Sequence, residues 1–246
     1  MLATGIRRGG VTAGMSTIAL IGPDGSGKTS VAQQLVATSS LPLKYIYMGT
    51  SIESSNIALP TSRLVHRFKV RQHRRALVRR GEEVPHEITL HGIEHRQDRR
   101  GRIGAVARLL RRVSEETYRQ LWSWAYQLRG NVVVYDRHFL FDSLPRPSER
   151  GSKRRLTDRI HDWFLHRLYP RPDLTILLAA APQVLYGRKQ EVPVDYLTTD
   201  LEALRSKREY AKEFVEVDAS ESLEAVVAAV AVLIEGHFES AVAHGP

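Results

Sequence analysis

Five short apolar runs divide the chain, and between them apolar residues recur at helical spacing. The runs are 16–22 (STIALIG), 43–49 (LKYIYMG), 131–136 (NVVVYD), 172–180 (PDLTILLAA) and 213–220 (EFVEVDAS). Each is short enough for a strand, and the three consecutive valines of the third predict burial on both faces of a sheet. A helix is predicted over 28–38 from Val31, Leu35 and Val36, and further helices over about 103–129, 156–168, 182–190, 197–212 and 221–236. Strands alternating with helices predict an α/β fold, a mainly parallel sheet covered on both faces. One region resists this reading. Residues 61–112 hold fourteen arginines, and their apolar stripe breaks after Phe68, so they read as a basic excursion between the second and third strands. It is either a solvated charged face or a surface for anions; interleaved aromatics for base stacking are missing, which disfavours nucleic acid.

Composition narrows the picture. The 246 residues are 42% hydrophobic, enough for one domain over 15–246, carrying the insertion at about 61–112 and a lid at about 182–197. Residues 1–14 read as a flexible tail without a signal-peptide core, and Met15 is an alternative start. The absence of cysteine excludes disulfides and thiolate metal sites and suits the cytoplasm. No stretch approaches the ~18–20 apolar residues of a membrane span. The formal net charge of +9 comes mostly from arginine. That charge suits an anionic partner, but a genome that favours arginine codons would produce it as well. A homodimer is compatible with the sequence.

The first run ends in Gly22-Pro23-Asp24-Gly25-Ser26-Gly27-Lys28-Thr29, which fits G-x-x-x-x-G-K-[ST] with a strand before it and a helix after it. Glycines let successive backbone N–H groups point into one concavity, and the helix adds its positive dipole end. Lys28 brings an ammonium for β- and γ-phosphates, and the Thr29 hydroxyl can join the shell of Mg²⁺. The fold class is therefore a three-layer P-loop NTPase sandwich. Asp136, at the carboxyl end of the valine run, is placed to hold Mg²⁺ or orient an acceptor, and Arg137 follows into the same crevice.

With GPDGSGKT, VVVYDRH, PDLTILLAAAPQVLYGRK and VEVDASESLEAVV in this order, most of 16–60 and 121–236 resembles thymidylate kinases. The resemblance implies a nucleoside monophosphate kinase fold with a five-stranded parallel sheet, ATP and Mg²⁺. It implies that Gly22, Asp24, Gly25, Ser26, Gly27, Lys28, Thr29 and Ser30 hold the triphosphate, with Asp24 near the acceptor's sugar. Thr29 and Asp136 would hold the metal. Asp218, Ala219 and Ser220 would lie beside adenine, and Arg188 would open a mobile lid. Two positions differ from the family: the stretch after the second strand lacks its arginine-glutamate-proline motif, and Glu115 stands where a helical arginine is expected, between Arg112 and Arg119. The acceptor stays open between a nucleoside monophosphate such as dTMP and a sugar or alcohol hydroxyl.

Phosphoryl transfer needs positioning and cations around the equatorial oxygens. Lys28, Asp136, Arg137 and Arg188 are the expected catalytic groups; Lys189 is a companion to Arg188, and Arg154 and Arg155 are a second source of charge. His86, His91 and His95 tempt a metal reading that Gly92 weakens. Trp122 and Tyr126, four residues apart, are expected in the core. The expected activity is an ATP-dependent phosphotransferase acting on a small acceptor. The alternative is an ATP-binding regulatory module that docks on polyanions through the basic insertion.

Overall fold

A computed structural model describes residues 16–51, 54–80, 102–144 and 155–243. The tail, the middle of the basic insertion, the three clustered histidines and Arg154 lie outside these residues. Five parallel strands, β1 (Thr17–Ile21), β2 (Leu43–Tyr47), β3 (Val132–Asp136), β4 (Leu174–Ala179) and β5 (Glu213–Asp218), lie in the order β2-β3-β1-β4-β5. The helices are α1 (Lys28–Thr38), α2 (Pro60–Arg80), α3 (Arg102–Gln127), α4 (Phe139–Ser143), α5 (Leu156–Arg167), α6 (Pro182–Arg188), α7 (Val194–Ser206) and α8 (Leu223–Ala243). The expected three-layer α/β sandwich is observed, with its sheet wholly parallel.

Period two explains the layers. Ile18 and Leu20, Val132 and Val134, and Leu174, Ile176 and Leu178 point to one face, where they meet Val31 and Leu35 of α1 and Val226, Val230 and Ile234 of α8. Ala19 and Ile21, Val133 and Tyr135, and Leu177 and Ala179 point to the other, against Phe139, Leu140 and Phe141 of α4 and Leu165 of α5. Asp173 pins the lower end by accepting from the Thr17 amide at 2.8 Å and its hydroxyl at 3.0 Å.

Three features depart from the pattern. α2 is one helix despite its broken stripe, with Ser62 and Leu77 buried along it. α4 is a single short turn and leaves little periodic signal. Trp122 and Tyr126 stack as their spacing predicts, with centroids 6.0 Å apart, but Trp122 is exposed rather than in the core. The reason is that α3 turns a polar face inward: Glu115, Glu116, Arg119, Gln120, Ser123 and Gln127 are all buried.

That polar face is paired within itself and with the sheet. Arg119 donates to Glu115 at 3.0 and 3.2 Å and to the carbonyls of Tyr47 at 3.2 Å and Gly49 at 2.6 Å. Its guanidinium also lies over Phe139, 5.4 Å from the ring centroid. Glu115 in turn accepts from the Leu59 amide at 3.1 Å. On the other flank, His161 of α5 contacts Glu116 at 2.8 Å. Removing one partner of a buried pair leaves the other charge unpaired, at a cost of about 3–5 kcal/mol. Arg119→Met should therefore lower the unfolding free energy by about that amount, far more than an exposed Arg→Met change; denaturant unfolding measures it.

Candidate active site

The loop after β1 wraps a hollow at the carboxyl ends of β1 and β3. Gly27, the residue before α1, has φ +82, a left-handed conformation that favours glycine, and open space where a side chain would stand. Gly22 lies under the Leu178 carbonyl and Gly25 against that of Leu185 in α6. Ser26 is buried, and its amide closes the turn onto the Pro23 carbonyl at 3.3 Å. The Lys28 ammonium folds back over the loop, donating to the Pro23 carbonyl at 2.7 Å and to Ser26 Oγ at 3.3 Å. Burial, helped by the nearby charge of Arg137, pulls Lys28 down to about 8, against the opposing pull of Asp24 and Asp136. An ammonium so poorly solvated gains from any anion entering the hollow. Ser30 is exposed on the first turn of α1.

Asp136 is fully buried and joins the two halves of the site. Its Oδ2 accepts from Thr29 Oγ1 at 2.6 Å and from the Tyr45 hydroxyl at 2.9 Å, while its Oδ1 has no partner. Hydroxyl and carboxylate oxygens together are the donor set of a hard cation, and the orphaned Oδ1 is a ready acceptor for water in its shell, so these residues fit Mg²⁺. Among the described residues no group of three or more His, Asp or Glu side chains forms a self-contained metal cage. A cation here would share its shell with phosphate oxygens.

Arg137 adopts φ 68, the one positive φ among the described non-glycine residues. That turn sends its guanidinium back across the hollow to Asp24, 2.6 Å away. Burial alone would raise the Asp24 pKa, but the charge and hydrogen bond of Arg137, with Lys28 and Lys189 more weakly, hold it below the ordinary value. Gly49 leaves room for Arg137: a Cβ there would lie 2.5 Å from the Tyr47 hydroxyl and 2.6 Å from Arg137 Cδ.

Lys28, Thr29, Asp136, Arg137 and Asp24 thus converge, and Arg188 sits apart. Its guanidinium donates to the carbonyls of Ala219 at 2.6 Å, Ser220 at 3.0 Å and Glu221 at 3.2 Å, bracing the turn after β5. Asp218 caps the same turn by accepting from the Ser220 amide at 2.8 Å. Lys189 pairs with Glu191 at 2.9 Å, and Arg155 precedes α5 on the surface. Sequence reasoning missed Tyr45, Gly49 and Asp142. Asp142 is exposed to solvent on α4 and feels the charges of Arg137, Lys28 and Lys207, which favour its ionised form. Its signal was a carboxylate six residues beyond Asp136, on a helical turn too short to read.

No protein-family model and no curated protein matches the chain. Among solved structures, a deoxyadenosine kinase from M. mycoides, with products dCMP and a flexible dCDP bound, is similar at 14% identity and a TM-score of 0.48, over 89% of this chain and 99% of that one. The reading of the site rests on its own geometry. Gly49→Ala tests that geometry: an extra methyl in a tight contact costs about 1–3 kcal/mol, so denaturant unfolding should show that loss.

Proposed function

We propose that the protein is an ATP-dependent phosphotransferase that moves the γ-phosphoryl group to a small acceptor. The observation that carries this reading is the convergence of the Lys28 ammonium, the amino end of α1 and the Thr29–Asp136 pair on one hollow. In it, loop amides and Lys28 bind the β- and γ-phosphates, and Asp218, Ala219 and Ser220, braced by Arg188, lie on the base side. Thr29 and Asp136 would hold Mg²⁺, which would supply charge neutralisation for the phosphates. Arg137 faces the transferred group, aimed by its backbone and by Asp24. Segment 182–197 serves as the lid, in a domain spanning 15–246. Cysteine-free and ATP-using, the protein suits the cytoplasm.

The acceptor is a hydroxyl rather than a phosphate. A phosphate brought against the γ-phosphoryl needs free cations between the two anions. Among the described residues Arg119 is sealed by Glu115 and two carbonyls and Lys207 is buried on the Phe141 carbonyl, while Arg137 already faces the transferred group. A hydroxyl needs a group to take its proton as the new O–P bond forms and ADP leaves. In this reading Asp142, an exposed carboxylate within reach of the charges of Lys28 and Arg137, supplies it. A nucleoside, sugar or alcohol meets this description better than dTMP.

A homodimer also suits the surface. Val106, Leu110, Leu121 and Trp124 are exposed on α3 and Leu128 just after it, and Leu156, Ile160 and Trp163 on α5, which packs beside it. α5 has Asp158 in its first turn and Arg167 in its last, so two antiparallel copies would bring opposite charges together.

ADP release with ATP and Mg²⁺, followed across neutral hydroxyl compounds and their monophosphates, tests the activity. Neutral compounds should stimulate it and monophosphates should not. Lys28→Ala should abolish ATP binding, and Asp142→Asn should slow transfer about 10²-fold or more with ATP binding retained. Full turnover in Lys28→Ala would remove the reading; stimulation by a monophosphate alone would remove only the hydroxyl. For the dimer, Trp163→Asp should convert a dimer to a monomer in sedimentation velocity; an unchanged mass would place the contact elsewhere.

A further inference from the structure

α2 carries no acidic residue in 21 positions. At about 100° per residue, Arg63, Arg67, Arg71, Arg74, Arg75 and Arg79 fall on one arc of about 160°, opposite buried Ser62 and Leu77. Arg63 donates to the carbonyls of Ser55 and Asn56. The other five are exposed, and among the described residues none has a hydrogen-bond or ion-pair partner. Like charges three and four residues apart weaken a helix. The helix therefore repels itself along its outer face, and a partner of opposite charge relieves that.

Three large apolar side chains share the arc. Leu64, Phe68 and Val78 are 69%, 68% and 64% exposed and stand between the arginines. Phosphates alone gain nothing from them, whereas an acyl-chain boundary covers them while its headgroups meet the guanidinium ions. We propose that the outer face of α2 docks on an anionic lipid bilayer, lying in the interface plane with Leu64 and Phe68 directed into the headgroup region. The helix follows the segment that leaves the carboxyl end of β2, the end of the sheet at which the phosphate loop lies. No helix among the described residues is long and apolar enough to span the bilayer, so the contact is peripheral.

Sedimentation of the full chain with vesicles tests the proposal. Phosphatidylcholine vesicles containing phosphatidylglycerol should carry the protein down, and pure phosphatidylcholine should not. Raising salt well past the point where the Debye length falls below about 8 Å should release it. Each arginine near such a surface contributes about fivefold, so replacing Arg71, Arg74 and Arg75 by Gln should weaken binding about a hundredfold. Leu64→Ser with Phe68→Ser leaves the charge unchanged and should still weaken it about tenfold or more. Circular dichroism checks that each variant keeps its helices. Equal sedimentation with neutral vesicles, or none with anionic ones, would overturn the proposal. So would full binding by the serine variant, which would mark a charge-only contact such as nucleic acid.

Discussion

The site depends on one buried carboxylate. Asp136 ends β3 in the middle of the sheet, with no exposure to water, and takes hydrogen bonds from Thr29 on α1 and Tyr45 on β2 through a single oxygen. An ion in that position is tolerable only if its partners are fixed. The pairing locks the first turn of α1 to two neighbouring strands and so sets where the amino end of that helix points. The second oxygen remains a buried acceptor without a partner. Register does the rest: β1 and β3 are adjacent, with Leu20 opposite Asp136, so the phosphate loop and the carboxylate emerge side by side.

A second buried ion restrains the acceptor side. Arg119 is held by Glu115 and by the carbonyls of Tyr47 and Gly49. The turn leaving β2 is thereby tied down, and a cation that would otherwise face the cleft is withdrawn from it. Gly49, held in the same turn, gives Arg137 its space. The same interaction that stabilises the fold therefore also keeps the Arg119 charge out of solvent.

The sheet was legible because β1, β3 and β4 are apolar runs buried on two faces, and each of the five strands begins and ends within two residues of its expected limits. The phosphate loop was legible because its glycines and lysine are local in sequence. Tyr45, Gly49 and Asp142 were not, since each acts through a contact between distant segments. α2 was hidden because its interior face is narrow and its exposed face mixes arginine with leucine and phenylalanine. Trp122 misled for the opposite reason: an apolar pair at helical spacing normally marks the inner side, but here the inner side of α3 is spent on ion pairs and on the Ser123–Tyr135 hydrogen bond, 2.6 Å long.

That inversion has a wider consequence. A helix that buries Glu115, Glu116 and Arg119 must carry much of its apolar content outward, and α5 repeats the arrangement with Leu156, Ile160 and Trp163 exposed around buried His161 and Leu165. The helix layer on this side of the sheet is thus apolar outside and partly polar inside. α2 differs again, being cationic outside with little packing inside. A genome rich in arginine explains a high count, but it scatters arginines among acids and across faces. It does not gather five arginines without a partner among the described residues on a single arc that lacks any acid and includes three exposed apolar side chains. Two such different outer surfaces, one apolar and one cationic, argue for two different neighbours: a second copy against α3 and α5, and a negatively charged boundary against α2.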